Sequence, residues 1–345
     1  GNHVQEWTTH RLNFKLAHQQ TVTNPINALW RKYQDLESSE ESNYLQIDEI
    51  DIGAWANLLG YLPVDAALRE QIKKYSPTGR VEQMQFSWKG NWSEPHSYQL
   101  DTRFNDLSLN NIHWGHLTAV NGLSGSVQRT ELEGLLHLDS QSISLKLLQP
   151  FSEPIVFDTL SAKVDWKIAA HQDSITYQIK DLVFSNAYVS GSSIHGSYRH
   201  DQTNSNWIDL RGSLDQADIS YLKRLALSIA DKTRLSWLDE TFLLGQLKNT
   251  QFNIQGSLND TSTNDLAWSL VTELINVSAS FAERWPNITA VSGKFSASPT
   301  LIKATLSQGN VEAIQFKDTT VQIADIRSKK PLLSIKGEAT GKTKQ

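Results

Sequence analysis

The sequence predicts a mainly β fold of amphipathic antiparallel strands, lengthened by repetition and interrupted by short helical insertions near residues 54–75 and 218–243. Three observations lead there. From Asp158 onward, Leu160, Ala162, Val164, Trp166 and Ile168 alternate with Ser161, Lys163, Asp165 and Lys167. Strict period two gives a strand with one apolar and one wet face. The alternation then returns at Ile175, Tyr177 and Ile179, and at Ile194, Gly196 and Tyr198. With Leu182-Val-Phe-Ser between them, this reads as four strands in meander order. Finally, an apolar-x-Gly-x-apolar unit recurs at Leu123-Ser-Gly-Ser-Val, Leu210-Arg-Gly-Ser-Leu, Ile254-Gln-Gly-Ser-Leu and Val291-Ser-Gly-Lys-Phe. Glycine on an apolar face leaves a gap or permits the bend that a curved sheet needs.

Taken in order, residues 1–34 predict a strand from Glu6 to Ala17 and a short helix over Asn24-Pro-Ile-Asn-Ala-Leu-Trp-Arg-Lys-Tyr. Asp35 to Asn43 is an acidic, Ser-rich loop, and Leu45-Gln-Ile-Asp-Glu-Ile-Asp-Ile returns to strand. Ala54 to Tyr75 is the clearest helical region: Pro63 sits at a plausible start, Leu68 and Ile72 lie four apart, and Ser76-Pro-Thr-Gly79 stops it. Strands follow through Met84, Phe86 and Trp88; Tyr98, Leu100, Thr102 and Phe104; Ala119, Asn121, Leu123, Gly125 and Val127; Leu132, Gly134, Leu136 and Leu138; and Ile143, Leu145 and Leu147. After Ile208, Leu210, Gly212 and Leu214, Asp218 to Gly245 breaks the pattern, with short helices over Tyr221–Leu227 and Thr233–Glu240. Strands resume through Phe252, Ile254 and Gly256; Leu266, Trp268 and Leu270; Ile275, Val277 and Ala279; and Val291, Gly293 and Phe295, and continue to the end. Length alone suggests about two domains. Growth by repetition lifts that expectation, so residues 1–345 read as one continuous segment with sub-blocks 1–79, 80–217, 218–245 and 246–345.

Composition narrows the function classes. With 37 acidic against 32 basic residues there is no electrostatic footprint for nucleic acid. The absence of cysteine excludes disulfides, thiolate metal sites and a cysteine nucleophile. No run approaches the ~20 apolar residues of a membrane span, and no secretory signal opens the sequence. It starts on strand-like residues and ends in the register of its repeats, as an excised piece of something longer would. Eleven Trp and nine Tyr suit large apolar sheet surfaces.

Catalytic motifs are missing. There is no Gly-x-Ser-x-Gly, no His-Glu-x-x-His, no phosphate loop and no Gly-x-Gly-x-x-Gly. His113 and His116 form the close histidine pair, without a third ligand nearby for zinc. Asp48, Glu49 and Asp51 belong to the wet side of a strand. The sequence therefore predicts neither enzyme activity nor a cofactor or metal.

Tyr61-Leu-Pro, Ser76-Pro-Thr-Gly-Arg-Val, Tyr98-Gln-Leu-Asp-Thr-Arg-Phe and Leu123-Ser-Gly, with Trp237-Leu-Asp, Leu244-Gly, Trp285-Pro-Asn-Ile and Val291-Ser-Gly-Lys-Phe, resemble the YhdP branch of the AsmA-like proteins of Gram-negative bacteria. The motifs are individually diffuse, and their order over most of the chain carries the resemblance. It implies an elongated, curved antiparallel sheet forming an open apolar groove. It also implies an inner-membrane anchor upstream of this chain, a periplasmic location, and phospholipid as cargo moving towards the outer membrane, with envelope proteins meeting the ends. The residues expected to line such a groove are Phe86, Trp88, Leu100, Phe104, Leu123, Val127, Leu136, Leu145, Leu160, Val164, Trp166, Ile175, Tyr177, Ile194, Ile208, Leu210, Phe252, Ile254, Trp268, Val291 and Phe295. The helical insertions are expected to cap its edge or mouth.

From the pattern alone, alternating strands more often form a closed sandwich or barrel than an open trough, and the resemblance reverses that order. A scaffolding β protein with a closed core is the alternative. Polysaccharide binding would place aromatics on wet faces, whereas Trp88, Trp166 and Trp268 fall in phase with apolar neighbours.

Overall fold

The computed structural model describes residues 2–13, 24–35, 41–59, 66–91, 94–112, 117–148, 154–169, 173–201, 206–223, 242–258, 266–280, 286–326 and 331–341. In chain order these form β1 (Asn2–Leu12), β2 (Ile26–Asp35), β3 (Glu41–Asp51), α1 (Ile52–Leu59), α2 (Ala66–Tyr75), β4 (Thr78–Asn91), β5 (Glu94–Leu109), β6 (Leu117–Thr130), β7 (Glu133–Leu147) and β8 (Ile155–Ile168). They continue as β9 (Ser174–Ser185), β10 (Val189–Ser190), β11 (Ser193–Asp201), β12 (Trp207–Asp218), β13 (Phe242–Ser257), β14 (Leu266–Ala279), β15 (Ile288–Ala297), β16 (Leu301–Val311), β17 (Ile314–Ala324) and β18 (Leu332–Gly341).

The chain divides into two compact units, residues 1–177 and 178–345. In the first, β1 through β8 form an antiparallel meander in which each strand pairs with the next. In the second, β9 pairs with β11 and β10 with β12, and from β11 to β18 each strand again pairs with its successor. Each unit is thus an open antiparallel sheet, as the alternation predicts.

Several boundaries differ from the sequence reading. The segment predicted as a helix after Asn24 is β2, because Ile26, Ala28 and Trp30 alternate and pair with β1. The first strand is β1, which starts before Glu6 and ends at Leu12; the remainder of the predicted strand falls largely outside the described residues. The insertion predicted at 54–75 is two helices. Asp51 Oδ1 accepts the Ala54 N–H at 2.9 Å and so caps α1; the predicted start at Pro63 lies outside the described residues. In the insertion predicted at 218–243, residues 219–223 are helical and β13 already begins at Phe242. Residues 224–241, including the second predicted helix, lie outside the described residues, as do His113 and His116.

The four strands read between Asp158 and Tyr198 are three, β8, β9 and β11, and the two-residue β10 was not among those read. Ser174–Ser185 is one strand that changes phase at Lys180–Asp181, where two consecutive side chains are exposed. The same slip recurs along the sheet. In the first unit it falls at Gln83, Asp106, Gly122 and Ser142, all with φ between 50° and 82°, and at Asp158–Thr159 on β8. In the second it falls at Asn249, Asn276, Ala290 and Asp318, with φ between 42° and 54°. One extra residue on a strand bends it and sharpens its twist. A row of such bulges divides each sheet face into two arms that meet at a corner.

Serine and threonine hydroxyls stabilise the corner. The N–H groups of Asp106 and Asn276 donate to Ser124 Oγ at 3.1 Å and to Ser292 Oγ at 3.2 Å. These serines stand directly before the repeat glycines Gly125 and Gly293. Ser140 Oγ accepts from the Ser124 N–H and donates to Ser124 O, both at 2.9 Å. Thr250 and Thr272 share a buried hydroxyl contact of 2.7 Å. Such bonds satisfy polar groups that the broken ladder would otherwise leave buried and unpaired.

The repeat glycines serve different needs. At Gly293 (φ +153°) a Cβ would stand 2.3 Å from Thr305 O, a backbone approach that no side chain fits. Gly212 instead lies beneath the ring of its ladder partner Phe252.

Candidate functional site

Ladder partners in an antiparallel sheet share a face, so the register assigns each predicted lining residue. In the first unit Phe86 pairs with Leu100, Leu136 with Val127 and with Val164, and Leu145 with Val120. Phe104 pairs with Gly125, Leu123 with Leu107, Gly134 with Trp166, and Ser140 with Leu160. With the phase slips included, Phe86, Trp88, Leu100, Phe104, Leu123, Val127, Leu136, Leu145, Leu160, Val164 and Trp166 all occupy one face. Ile175 and Tyr177 alternate with exposed Thr176 and Gln178 on β9. In the second unit Ile194, Ile208, Leu210, Phe252, Ile254, Trp268, Val291 and Phe295 share a face by the same reasoning.

Trp88, Phe104 and Val291 are buried, and all the other predicted residues are half-buried. The opposite face carries exposed Gln85, Arg103, Gln128, Lys163, Arg211 and Gln255. Half-burial follows when apolar side chains pack sideways against ladder neighbours and none of the described residues lies over them. A sealed sandwich would bury them.

The two arms differ. In the first unit the arm running from the corner to the β6–β7 turn holds half-buried Val127, Leu136, Leu138 and Val164. Beyond the corner, Val120, Ile143, Ile155 and Phe157 are all buried, Ile143 completely. In the second unit Leu274, Val277, Val291 and Leu306 form a buried cluster with Ile219. Ile219 belongs to the helical turn at 219–223, which is capped by Asp218 Oδ1 on the Tyr221 N–H at 3.1 Å. The turn is tied down by Tyr221, which stacks on Tyr188 at 5.0 Å and accepts a hydrogen bond from Asn186 Nδ2 at 2.6 Å. This insertion covers one arm of its unit.

Sequence reasoning missed further members of the same face. Trp7 stacks on its ladder partner Trp30 at 4.7 Å, and the register continues through Leu45 to Phe86. A polar group stands beside them: Lys32 Nζ meets Glu41 Oε2 at 2.8 Å, Asn43 Nδ2 donates to Glu41 Oε1, and Trp30 Nε1 donates to Asn43 Oδ1. The Lys32 hydrogen bond, then that from Asn43, holds the Glu41 carboxyl below the usual carboxylate range. The signal that could have found Trp30 was its alternation with Ala28 and Lys32, masked by the helix reading.

The acidic trio is structural. Asp48 accepts from Asn27, Glu49 faces Arg80 at 3.9 Å, and Asp51 caps α1. Among the described residues no group of three or more His, Asp or Glu could hold a metal ion, and no helix is long and apolar enough to cross a membrane. A separate cleft of about 650 Å³ between α1, α2 and the start of β4 is lined by Ala56, Asn57, Arg69, Ile72, Lys73 and Thr78. It shares no residue with the apolar face.

No curated protein and no solved structure matches this chain. The YhdP protein family matches residues 2–345, and with almost the whole length covered the chain belongs to that family.

Proposed function

We propose that this chain is part of a non-enzymatic conduit that carries phospholipid between the inner and outer membranes along its apolar sheet face. The observation that carries the reading is the half-burial of most of an apolar arm, Phe86, Leu100, Val127, Leu136, Leu138 and Val164, beside buried Trp88, Thr102, Phe104 and Ala162. A lipid is held in its membrane at about 0.8 kcal/mol per buried methylene, so two tails of ~16 carbons leave for water too slowly to be useful. A continuous apolar surface replaces bilayer contacts as the lipid advances, and needs neither reaction nor metal. Family membership favours a lipid-transport role of this kind. The protein would act in the periplasm, held to the inner membrane by a segment outside this chain, with envelope proteins at its ends.

The buried arms, above all the cluster under Ile219, favour a second reading as a scaffold with a closed core. Lipid extraction and native mass spectrometry of the purified chain separate the two. The conduit requires co-purifying phospholipid and a site for an apolar dye. Loss of both, in a chain shown to be folded, leaves the scaffold.

A further inference from the structure

The open arm of the first unit is not uniformly apolar. We infer that it holds a phospholipid in a fixed orientation, with the phosphate headgroup at the rim where β4 ends, β5 begins and β6 turns into β7, and the tails pointing to the bulged corner. This rests on the conduit reading and adds a subsite to it.

Three observations carry the orientation. The tryptophans and tyrosine of this arm gather at the rim: Trp88 faces Tyr98 across the ladder, and Trp166 lies near the end of β8. Between rim and corner lie aliphatic Val127, Leu136, Leu138 and Val164, with buried Phe104 and one buried hydroxyl, Thr102. Amphipathic rings with aliphatics beneath them mark the headgroup boundary of a membrane.

The rim also carries a cation. The Arg129 guanidinium sits 5.8 Å from the centroid of the Tyr98 ring, on the apolar face. Arg129 pairs with Gly134, and Gly134 pairs with Trp166. A Cβ on Gly134 would collide with the Trp166 ring, so that ring lies across the glycine, in the row that leads to Arg129. A planar guanidinium suits a phosphodiester, which it can meet with two parallel N–H groups.

The depth matches as well. From Leu160 at the corner to Trp166 at the rim, the strand rises roughly 20 Å at the usual spacing. One leaflet contributes about half of a ~30 Å hydrocarbon core. The arm is therefore deep enough for one set of tails, and buried Ile143 and Phe157 close its far side.

The chain has no cysteine, so single reporters are simple to place. Leu132→Cys, in the exposed β6–β7 turn, reports on the rim; Leu160→Cys reports on the corner. Each is labelled with a small fluorophore and mixed with phosphatidylcholine bearing a nitroxide either on the headgroup or at the tail end. The headgroup nitroxide should quench the rim reporter more strongly, and the tail nitroxide the corner reporter. The reverse order, or equal quenching at both sites, overturns the orientation and leaves the conduit standing. No quenching by either lipid at either site removes the conduit and the orientation together. Separately, Arg129→Gln should lower the capture of phosphatidylglycerol relative to phosphatidylethanolamine roughly fivefold, the worth of one basic residue beside an anionic surface. An unchanged ratio overturns the role of Arg129.

Discussion

Val164 and Ile143 lie on one face of one sheet, and their replacement by aspartate should have opposite outcomes. Val164 is half-buried beside Leu136, whereas Ile143 is fully buried beside Phe157. Val164→Asp forfeits about half the burial of a valine, near 1 kcal/mol. Its carboxylate stays hydrated on an uncovered face, so the total should be about 1–2 kcal/mol. Ile143→Asp loses a full isoleucine, about 2–5 kcal/mol, and buries an unpaired charge that adds several more. Against a total stability of about 5–15 kcal/mol, the second change should unfold the chain and the first should not. Urea melts followed by circular dichroism measure both, and lipid extraction from Val164→Asp measures the consequence for cargo. Equal destabilisation by the two variants would refute the uncovered arm. A folded Val164→Asp chain retaining its full complement of phospholipid would refute the use of that arm for lipid.

Four further outcomes follow from the geometry. Gly134→Ala should cost about 1–3 kcal/mol through overpacking against Trp166, and distinctly less in a Trp166→Ala background; an equal cost in both would remove the ring as the cause. Ala290, at φ +54°, stands where other bulges carry Asn or Asp, so Ala290→Asn should raise stability by up to about 1 kcal/mol, and a lower urea midpoint would contradict the strain. Thr272→Val deprives Thr250 of its buried partner and Lys248 O of a donor, and should cost about 1–3 kcal/mol, while an exposed control such as Thr289→Val should cost little. The folded Glu41 carboxyl titrates below its unfolded value, so its stabilisation is complete above the ordinary value of about 4.3 and fades as pH falls through the lower folded value; Glu41→Gln should flatten that acid limb, and an unchanged pH profile would detach the Lys32 contact from stability.

The legible and illegible parts of this chain divide along one physical line. Alternation was readable wherever ladders are regular, which is why the shared face of Leu136 and Val164 in the first unit, and that of Leu210 and Ile254 in the second, could be assembled from sequence. Where a bulge inserts one residue, the alternation changes phase, and a slipped strand looks like two. Leu138 and Ile143 belong to β7 although their parities differ, because Ser142 takes the left-handed conformation between them. Ala119 and Leu123 read as one phase, yet Gly122 puts Val120, not Ala119, on the face with Leu123. The Asn24–Tyr33 segment misled for another reason: ladder pairing to β1 and β3 overrode a short run with helical spacing.

The slips themselves leave a recognisable trace. Asp106, Ser142, Asn249, Asn276 and Asp318 are all residues whose short polar side chains ease a positive φ. Each follows an apolar stretch of one parity and precedes a stretch of the other. Ser124 and Ser292 sit opposite two of these bulges and accept the amide that each displaces. The Ser-Gly dipeptides of two of the four repeat units, Ser124-Gly125 and Ser292-Gly293, are therefore a corner device, in which serine caps the neighbouring bulge and glycine admits the next strand's carbonyl. A change of parity at a lone Asn, Asp or Ser, met on the adjacent strand by Ser-Gly, predicts a bend within a strand rather than its end. That rule also explains why the apolar face is two arms: the sheet folds along the row of slips, burying Ile143 and Phe157 on one side while leaving Leu136 and Val164 accessible on the other.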